Sequence, residues 1–434
     1  MNEHEIRQRL NNRGWGPFFN RLWVASGLGW MADAMNIAAL GLVLPLILSD
    51  LGLTRGEGGV IVSATFVGFM VGAILTGRLA DIVGRRTLLI GNIILFSTAA
   101  VLAGFSQDFW TLLILRFIQG VGMGGEFPII GTYLNELSPA RYRARLVAFT
   151  SAFYAYAFAL IPLIGMFVVP LLGWRGLFFA LVIPVIFAVW ARRALPESPV
   201  FLARRGRTEE AEAAVKLIED GSSYLPAEPS DQVPDSGGKI LTVRTGVLVV
   251  MWILIFFAQY GFASWIPSAI NEEVGADSSS YLFTSLLFSG MVVGYLGSSW
   301  VGGKMSPRAF LYFSFLQFGI SLVLFGISTH IVPMILFGWL AAAGYGFTTT
   351  SAYAYTPRQF ETNVRASGFG LVTGIGRVGA IVGPMVVAVL SPVGSLGASF
   401  VAFGLSSMLV VVMVIALERK RAGTAVVAPE EAAR

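Results

Sequence analysis

The 434-residue chain is 55% hydrophobic and only 13% charged, with a formal net charge of +5. Soluble domains carry about 25% charged residues, so most of this chain belongs in lipid. It has no cysteine, which excludes disulfides and thiolate-bound zinc; its two histidines, His4 and His330, fall in the amino-terminal arm and a predicted loop and leave metal or histidine-based catalysis almost nothing to work with.

Residues 1–22 are polar and rich in arginine, so no cleavable signal is evident and the first apolar run is a retained span. Twelve apolar stretches are predicted, at 23–48, 58–79, 87–105, 109–134, 146–172, 176–194, 245–269, 282–301, 310–328, 331–354, 368–390 and 397–417. Most approach or exceed the ~20 residues that cross ~30 Å of hydrocarbon. None alternates with the period of two that marks a spanning barrel strand. Lipid offers no partner to a backbone amide, so each run is read as a helix that satisfies its own hydrogen bonds. All but four of the 30 lysines and arginines fall in the loops and tails of one side; the exceptions are Arg55 and Arg175 in opposite loops and Arg116 and Arg377 inside apolar runs. This asymmetry places both termini in the cytoplasm of a multi-pass plasma (inner) membrane protein. Membrane orientation explains the basic charge, and no nucleic-acid partner is expected.

Slid against itself by 222 residues, the chain pairs Trp30 with Trp252, Gly68 with Gly290, Gly72 with Gly294 and Arg86 with Arg308. The same shift pairs Gly122 with Gly344, Gly124 with Gly346, Tyr133 with Tyr355 and Arg143 with Arg365. A constant shift across four pairs of helices reads as two parallel six-helix halves, pseudo-symmetric about an axis along the membrane normal. The expected organisation is a bundle at 1–194, a cytoplasmic linker with a short helix at 195–242, and a second bundle with its tail at 243–434. The linker is charged and helix-forming at 208–220, then rich in Pro, Ser, Gly and Asp.

The loop after the second span reads Gly77-Arg78-Leu79-Ala80-Asp81-Ile82-Val83-Gly84-Arg85-Arg86, and the fourth span carries Arg116-x-x-x-Gly120-x-Gly122-x-Gly124. Both resemble the signatures of the major facilitator superfamily, and Pro196-Glu197-Ser198-Pro199 resembles an element of its sugar-porter and organic-ion branches. Gly27-Leu28-Gly29-Trp30-Met31-Ala32-Asp33-Ala34-Met35 and Gly122-Met123-Gly124-Gly125-Glu126-Phe127-Pro128 are most similar to the proton-coupled metabolite symporters that include the niacin transporters and relatives of synaptic vesicle protein 2. The resemblance implies an all-α membrane protein of twelve transmembrane helices that works by alternating access. One position departs from the pattern: Asn36 stands where a second acid is expected. In the second half Gly303 stands opposite Asp81 and Arg358 opposite Glu136, so an acid-based latch is expected mainly in the first half.

An ionisable group at mid-membrane costs at least ~2.5–3.5 kcal/mol on insertion scales, which makes Asp33, Arg116, Glu126 and Arg377 functional candidates. Arg116 and Glu126 lie ~15 Å apart along one helix, with Gln119 and Met123 on a similar face. Asp33 and Glu126 are read as proton carriers, with Arg116 as the charge that ties protonation to conformation. A permanent structural pair between helices is the alternative. Arg377, in Gly374-x-x-Arg377-x-Gly379, suits a carboxylate with its planar fork, the alternative being a guanidinium tied to helix carbonyls. Trp30, Asn36, Gln119, Tyr154, Gln259, Tyr260, Trp339 and Tyr345 are the candidate lining of a site for a small flat ligand, although each aromatic alone also suits packing or interfacial anchoring. Asp81, Arg85, Arg86, Glu136 and Arg143 are candidate gating residues.

The expected function is proton-coupled symport of a small organic anion, nicotinate or a similar aromatic carboxylate. Uniport, or proton antiport of a neutral or cationic solute, is the alternative. No enzyme activity and no cofactor are expected, protons serving as the coupling ion, since the glycines at 122–124 lack the strand and helix of a dinucleotide site. The expected partners are a small-molecule substrate and the lipid bilayer, with the protein a monomer.

Overall fold

The computed structural model describes residues 2–193, 195–226, 240–275, 278–361, 364–390 and 396–431, and side chains at most of them. The junction at 194 and most of the Pro- and Gly-rich linker lie outside the described residues, as do the side chains of Arg78, Phe127, Pro128, Arg145, Lys420 and Arg421.

Among the described residues, eleven helices are long and apolar enough to cross a membrane. The longest joins two: Ala140–Ala180 is broken at Gly173, whose φ of 65° is a left-handed turn open to glycine at no steric cost. The twelve predicted apolar runs are therefore all helical. In order the spans are Pro17–Leu51, Arg55–Val83, Arg85–Ala103, Phe109–Leu137, the two parts of Ala140–Ala180 with Val182–Arg193 continuing the second, then Val243–Val274, Ser278–Lys304, Pro307–Ile327, Ile331–Tyr355, the pair Arg365–Gly376 and Val378–Leu390, and Leu396–Glu431. Caps fix several starts: Thr54 and Glu57 form a reciprocal capping box, Asp108 accepts from the amide of Thr111, and Ser306 precedes Pro307 and accepts from Ala309. The eleventh run, read as continuous, is two helices meeting at Arg377, whose amide donates to Gly374 in a tightened turn.

The chain divides into two compact units, Met1–Asp231 and Gln232–Arg434. In the first unit the second span packs on the fourth, the third on the fourth and the first on the fifth; in the second unit the eighth packs on the tenth, the ninth on the tenth and the seventh on the eleventh. Glycine makes the closest of these contacts possible. A Cβ on Gly68 would overlap the Phe117 carbonyl, and one on Gly290 would overlap that of Trp339, the residue 222 positions on. Gly122 meets Phe96 and Gly344 meets Phe318 under the same shift. The sequence repeat is thus a repeat of helix packing.

On the first unit, the helix Glu3–Asn11 lies against the linker helix Thr208–Asp220, which buries Ala211, Ala214, Val215 and Ile218. Arg9 binds Glu212 at 2.7 Å and Glu219 at 2.7 Å, Arg13 binds Glu219 at 2.6 Å, and Glu3 joins Arg7 to Arg204. Hydrogen bonds from Arg9 hold the Glu212 and Glu219 carboxyls below the usual carboxylate range.

Candidate functional site

The first and fourth spans run antiparallel and face each other along a buried polar stripe. At one level the amide nitrogen of Gln119 donates to Asn36 Oδ1 at 2.7 Å, and Asn36 Nδ2 donates to the carbonyl of Ala32 at 2.8 Å. Arg116 Nη1 donates to Gln119 Oε1 at 2.6 Å, and its guanidinium carbon lies 4.0 Å from the centre of the Phe178 ring. Arg116, Gln119 and Asn36 are 1%, 0% and 2% exposed, so this charge is met by an amide relay and a ring face, away from water. Asn36 stands where the resemblance implies an acid, and it acts here as a neutral link in the relay.

Two helical turns along, a second layer holds Glu126 of the fourth span, fully buried, in an ion pair with Arg192 at the end of the sixth. The backbone of Gly29 in the first span closes over the pair, and a Cβ there would overlap both partners. The register set by Asn36 against Gln119 and Gly29 against Glu126 puts Asp33 level with Gly122 and Met123, between the two layers. Asp33 is buried, as is Trp30 beside it in sequence. Tyr154, on the fifth span, is half-buried against the Phe158 ring at 5.2 Å.

In the second unit Arg377 is half-buried with its guanidinium carbon 5.7 Å from the Phe256 ring. Phe256 belongs to an aromatic row on the seventh span, with Trp252 at 5.2 Å and Tyr260 at 5.7 Å; Trp252 also meets Tyr353 and Phe369. One arginine thus stands beside an aromatic cluster. The Gln259 amide nitrogen is engaged by the tenth span, donating to the Tyr345 carbonyl and to the Thr348 and Thr349 hydroxyls. Trp339 donates to Ser289 at 3.1 Å, and the Tyr345 ring packs on Phe318.

The candidate gating residues gather at the arginine-rich end of the first unit. Arg85 is buried and joins Asp81 at 2.8 Å and Glu136 at 3.2 Å. Glu197 accepts from the amides of Arg85, Arg86 and Ser198, at 3.0, 3.0 and 2.8 Å, and so anchors the Pro-Glu-Ser-Pro element to the start of the third span. Gly84, at φ 103°, leaves the room that Glu197 fills. Arg86 reaches the Arg193 carbonyl at 2.7 Å. Arg143 stands apart on the Ser138 carbonyl, where burial pushes its guanidinium below the usual range.

The second unit also carries an acid–arginine pair, supplied from neither the Gly303 nor the Arg358 position. Glu418, on the twelfth span, accepts from the Tyr355 hydroxyl at 2.8 Å and pairs with Arg308 at 2.9 Å. Tyr355 and Arg308 are the 222-residue counterparts of Tyr133 and Arg86, but the acid arrives from a helix that the shift does not mark. Arg192 too is absent from the candidate residues that the sequence offers. A pair of arginines ending an apolar run signals topology, and nothing local tells that the first is buried while Arg193 is exposed.

Two bundles of apolar helices with charged and amide groups sealed inside them define a multi-pass membrane protein. The chain belongs to the Major Facilitator Superfamily, whose model matches residues 26–316 and again 248–434. It is 30% identical over 395 residues to the niacin transporter NiaP of Acinetobacter baylyi, covering 88% of this chain and 90% of that protein. It is 29% identical to the benzoate transport protein of the same organism, covering 88% and 86%. Among solved structures it is similar to the partially occluded inward-open xylose transporter XylE of E. coli, with a TM-score of 0.73 and 17% identity over 91% of this chain and 96% of that one. At that identity the likeness speaks to the fold alone.

Proposed function

We propose that the protein is a proton-coupled symporter of a small aromatic carboxylate, nicotinate or a close analogue, working by alternating access in the inner membrane with both termini cytoplasmic. The observation that carries this reading is the burial of Asp33 and Glu126 on facing stretches of the first and fourth spans, at 4% and 0% exposure. Two carboxyls are costly to keep in apolar helices, and a proton cycle gives them a use. Arg377 beside the Phe256 row supports an aromatic carboxylate: the fork takes the anion and the rings take the flat body. Relatives named for niacin and for benzoate, both aromatic acids, support the same class. Segment 195–242 serves as the connector between the halves, and substrate and proton together shift their equilibrium.

The test uses proteoliposomes and labelled nicotinate. Asp33→Asn should abolish accumulation driven by a pH gradient while leaving counterflow exchange, and full accumulation by this variant would remove Asp33 from the proton role. Arg377→Ala should weaken binding of nicotinate and benzoate and spare a neutral analogue such as nicotinamide. Equal loss for all three would make the arginine structural.

A further inference from the structure

We propose that Arg192 is a positioning residue of the proton cycle, its pairing with Glu126 broken and remade as Glu126 gains and loses the transported proton. The inference rests on the proton-coupled reading above and adds to it a residue from the sixth span.

A buried pair kept only for structure is expected to saturate its hydrogen bonds, since each unpaired buried polar atom costs free energy. This pair does not. Arg192 Nη2 meets Glu126 Oε1, but Glu126 Oε2 and Arg192 Nε and Nη1 are buried with no hydrogen-bond partner among the described residues. One carboxylate oxygen and two donors are thus left over at the most deeply buried acid of the first unit. Gly29 brings backbone, not side chain, against the pair. Gly29 also lies one turn from Asp33 on the same helical face, so the pair and the other candidate proton carrier share one wall.

The guanidinium also has room for a water beside it. Arg192 borders a cavity of about 10 Å³, room for a single water, whose other walls are Ser26, Arg86, Leu89, Tyr133 and Leu195. The other charged and titratable groups near the pair are Arg86 from the third span and Tyr133 from the fourth, which line the cavity with Arg192, and Asp33, one turn from Gly29 on the first. Among the described residues Arg192 is the cation in contact with Glu126. A proton adding to Oε2 gives a neutral carboxylic acid. Arg192 remains cationic and loses its counter-charge, its guanidinium left to the water-sized cavity it already borders, and loss of the proton restores the pair.

The test begins without substrate. Infrared difference spectra of the purified full-length protein are recorded across pH, with the protonated-carboxyl band assigned by its loss in Glu126→Gln. In Arg192→Gln that band should persist to a proton concentration at least ten-fold lower than in the wild type, while Arg192→Lys, which keeps the charge, should titrate near the wild type. In proteoliposomes the double variant Glu126→Gln/Arg192→Gln, neutral on both sides, should exchange nicotinate by counterflow but not accumulate it down a pH gradient. An unchanged band in Arg192→Gln, or wild-type accumulation by the double variant, overturns the proposal. If Arg192→Gln does not fold, Arg192→Lys and the double variant decide. Absence of nicotinate counterflow in the wild type would count against the substrate reading, and the infrared titration would still decide the role of Arg192.

Discussion

Gly72 lies against Val121 so closely that a Cβ on the glycine would overlap the valine carbonyl oxygen, and Gly294 stands in the same relation to Ala343, 222 residues on. A methyl group at either position has only backbone to push against, and backbone does not rotate away. Gly72→Ala should therefore destabilise the detergent-solubilised protein by roughly 1–3 kcal/mol, the usual cost of overpacking. Gly77→Ala, on the same span with open space around it, should leave the unfolding temperature unchanged or slightly raised. Thermal unfolding of the two variants side by side checks this.

Gln119 links Asn36 to Arg116, so its removal affects two partners. Gln119→Leu should cost about 1.5–3 kcal/mol, the range for a hydrogen bond to a charged group, because Arg116 Nη1 loses its acceptor in a site closed to water. Asn36→Leu leaves the Arg116 contact in place and removes only neutral bonds, so it should cost less, nearer 1 kcal/mol. The order of the two variants in a denaturation series is the measurement. An Asn36 effect exceeding that of Gln119 would mean the relay is not what neutralises Arg116.

The fold was legible in the sequence because hydrophobic run length and arginine placement each encode it directly. The apolar runs are helical, the eleventh as two helices, and the positions repeated at 222, Gly68 with Gly290 and Gly122 with Gly344, are points of helix contact. Buried acids and bases were legible as types and not as partners. Glu126 could be read as a candidate from its apolar surroundings. Its partner Arg192 comes from a helix 66 residues on and looks, locally, like any arginine at the end of a span. Glu418 was invisible for a related reason: a repeat shift finds residues that stayed in place, and this acid reaches Tyr355 and Arg308 from a position whose counterpart is Pro196.

The two contacts of Glu418 differ in worth. Arg308 is 54% exposed, so its ion pair is screened and contributes about 0–1 kcal/mol. Tyr355 is buried, and its hydroxyl donates to the same charged carboxylate, a bond worth about 1.5–3 kcal/mol. Tyr355→Phe should lower the unfolding temperature more than Arg308→Ala. Added salt should narrow the gap between wild type and Arg308→Ala and leave that of Tyr355→Phe largely intact.

Acid should release the amino-terminal helix from the linker helix before it unfolds either bundle. Glu219 and Glu212 are held below their ordinary value of 4.5 by hydrogen bonds from Arg9. A carboxyl whose folded value is depressed stabilises the docked state fully above its free value and loses that contribution as pH falls through the depressed one. Hydrogen exchange over Glu3–Asn11 and Thr208–Asp220 should thus show unchanged protection, after correction for the intrinsic rate, between pH 8 and about pH 5, near the free carboxylate value. Protection should fall below that range. Arg9→Gln/Arg13→Gln removes the bridges to Glu212 and Glu219 together and should lower protection of the two helices at every pH, flattening the acid response. A pH dependence that survives in Arg9→Gln/Arg13→Gln would assign the release to other carboxyls, with Glu3 between Arg7 and Arg204 the next to examine. The bundle helices, which pack mainly through apolar and glycine-mediated contacts, should keep their protection throughout this range.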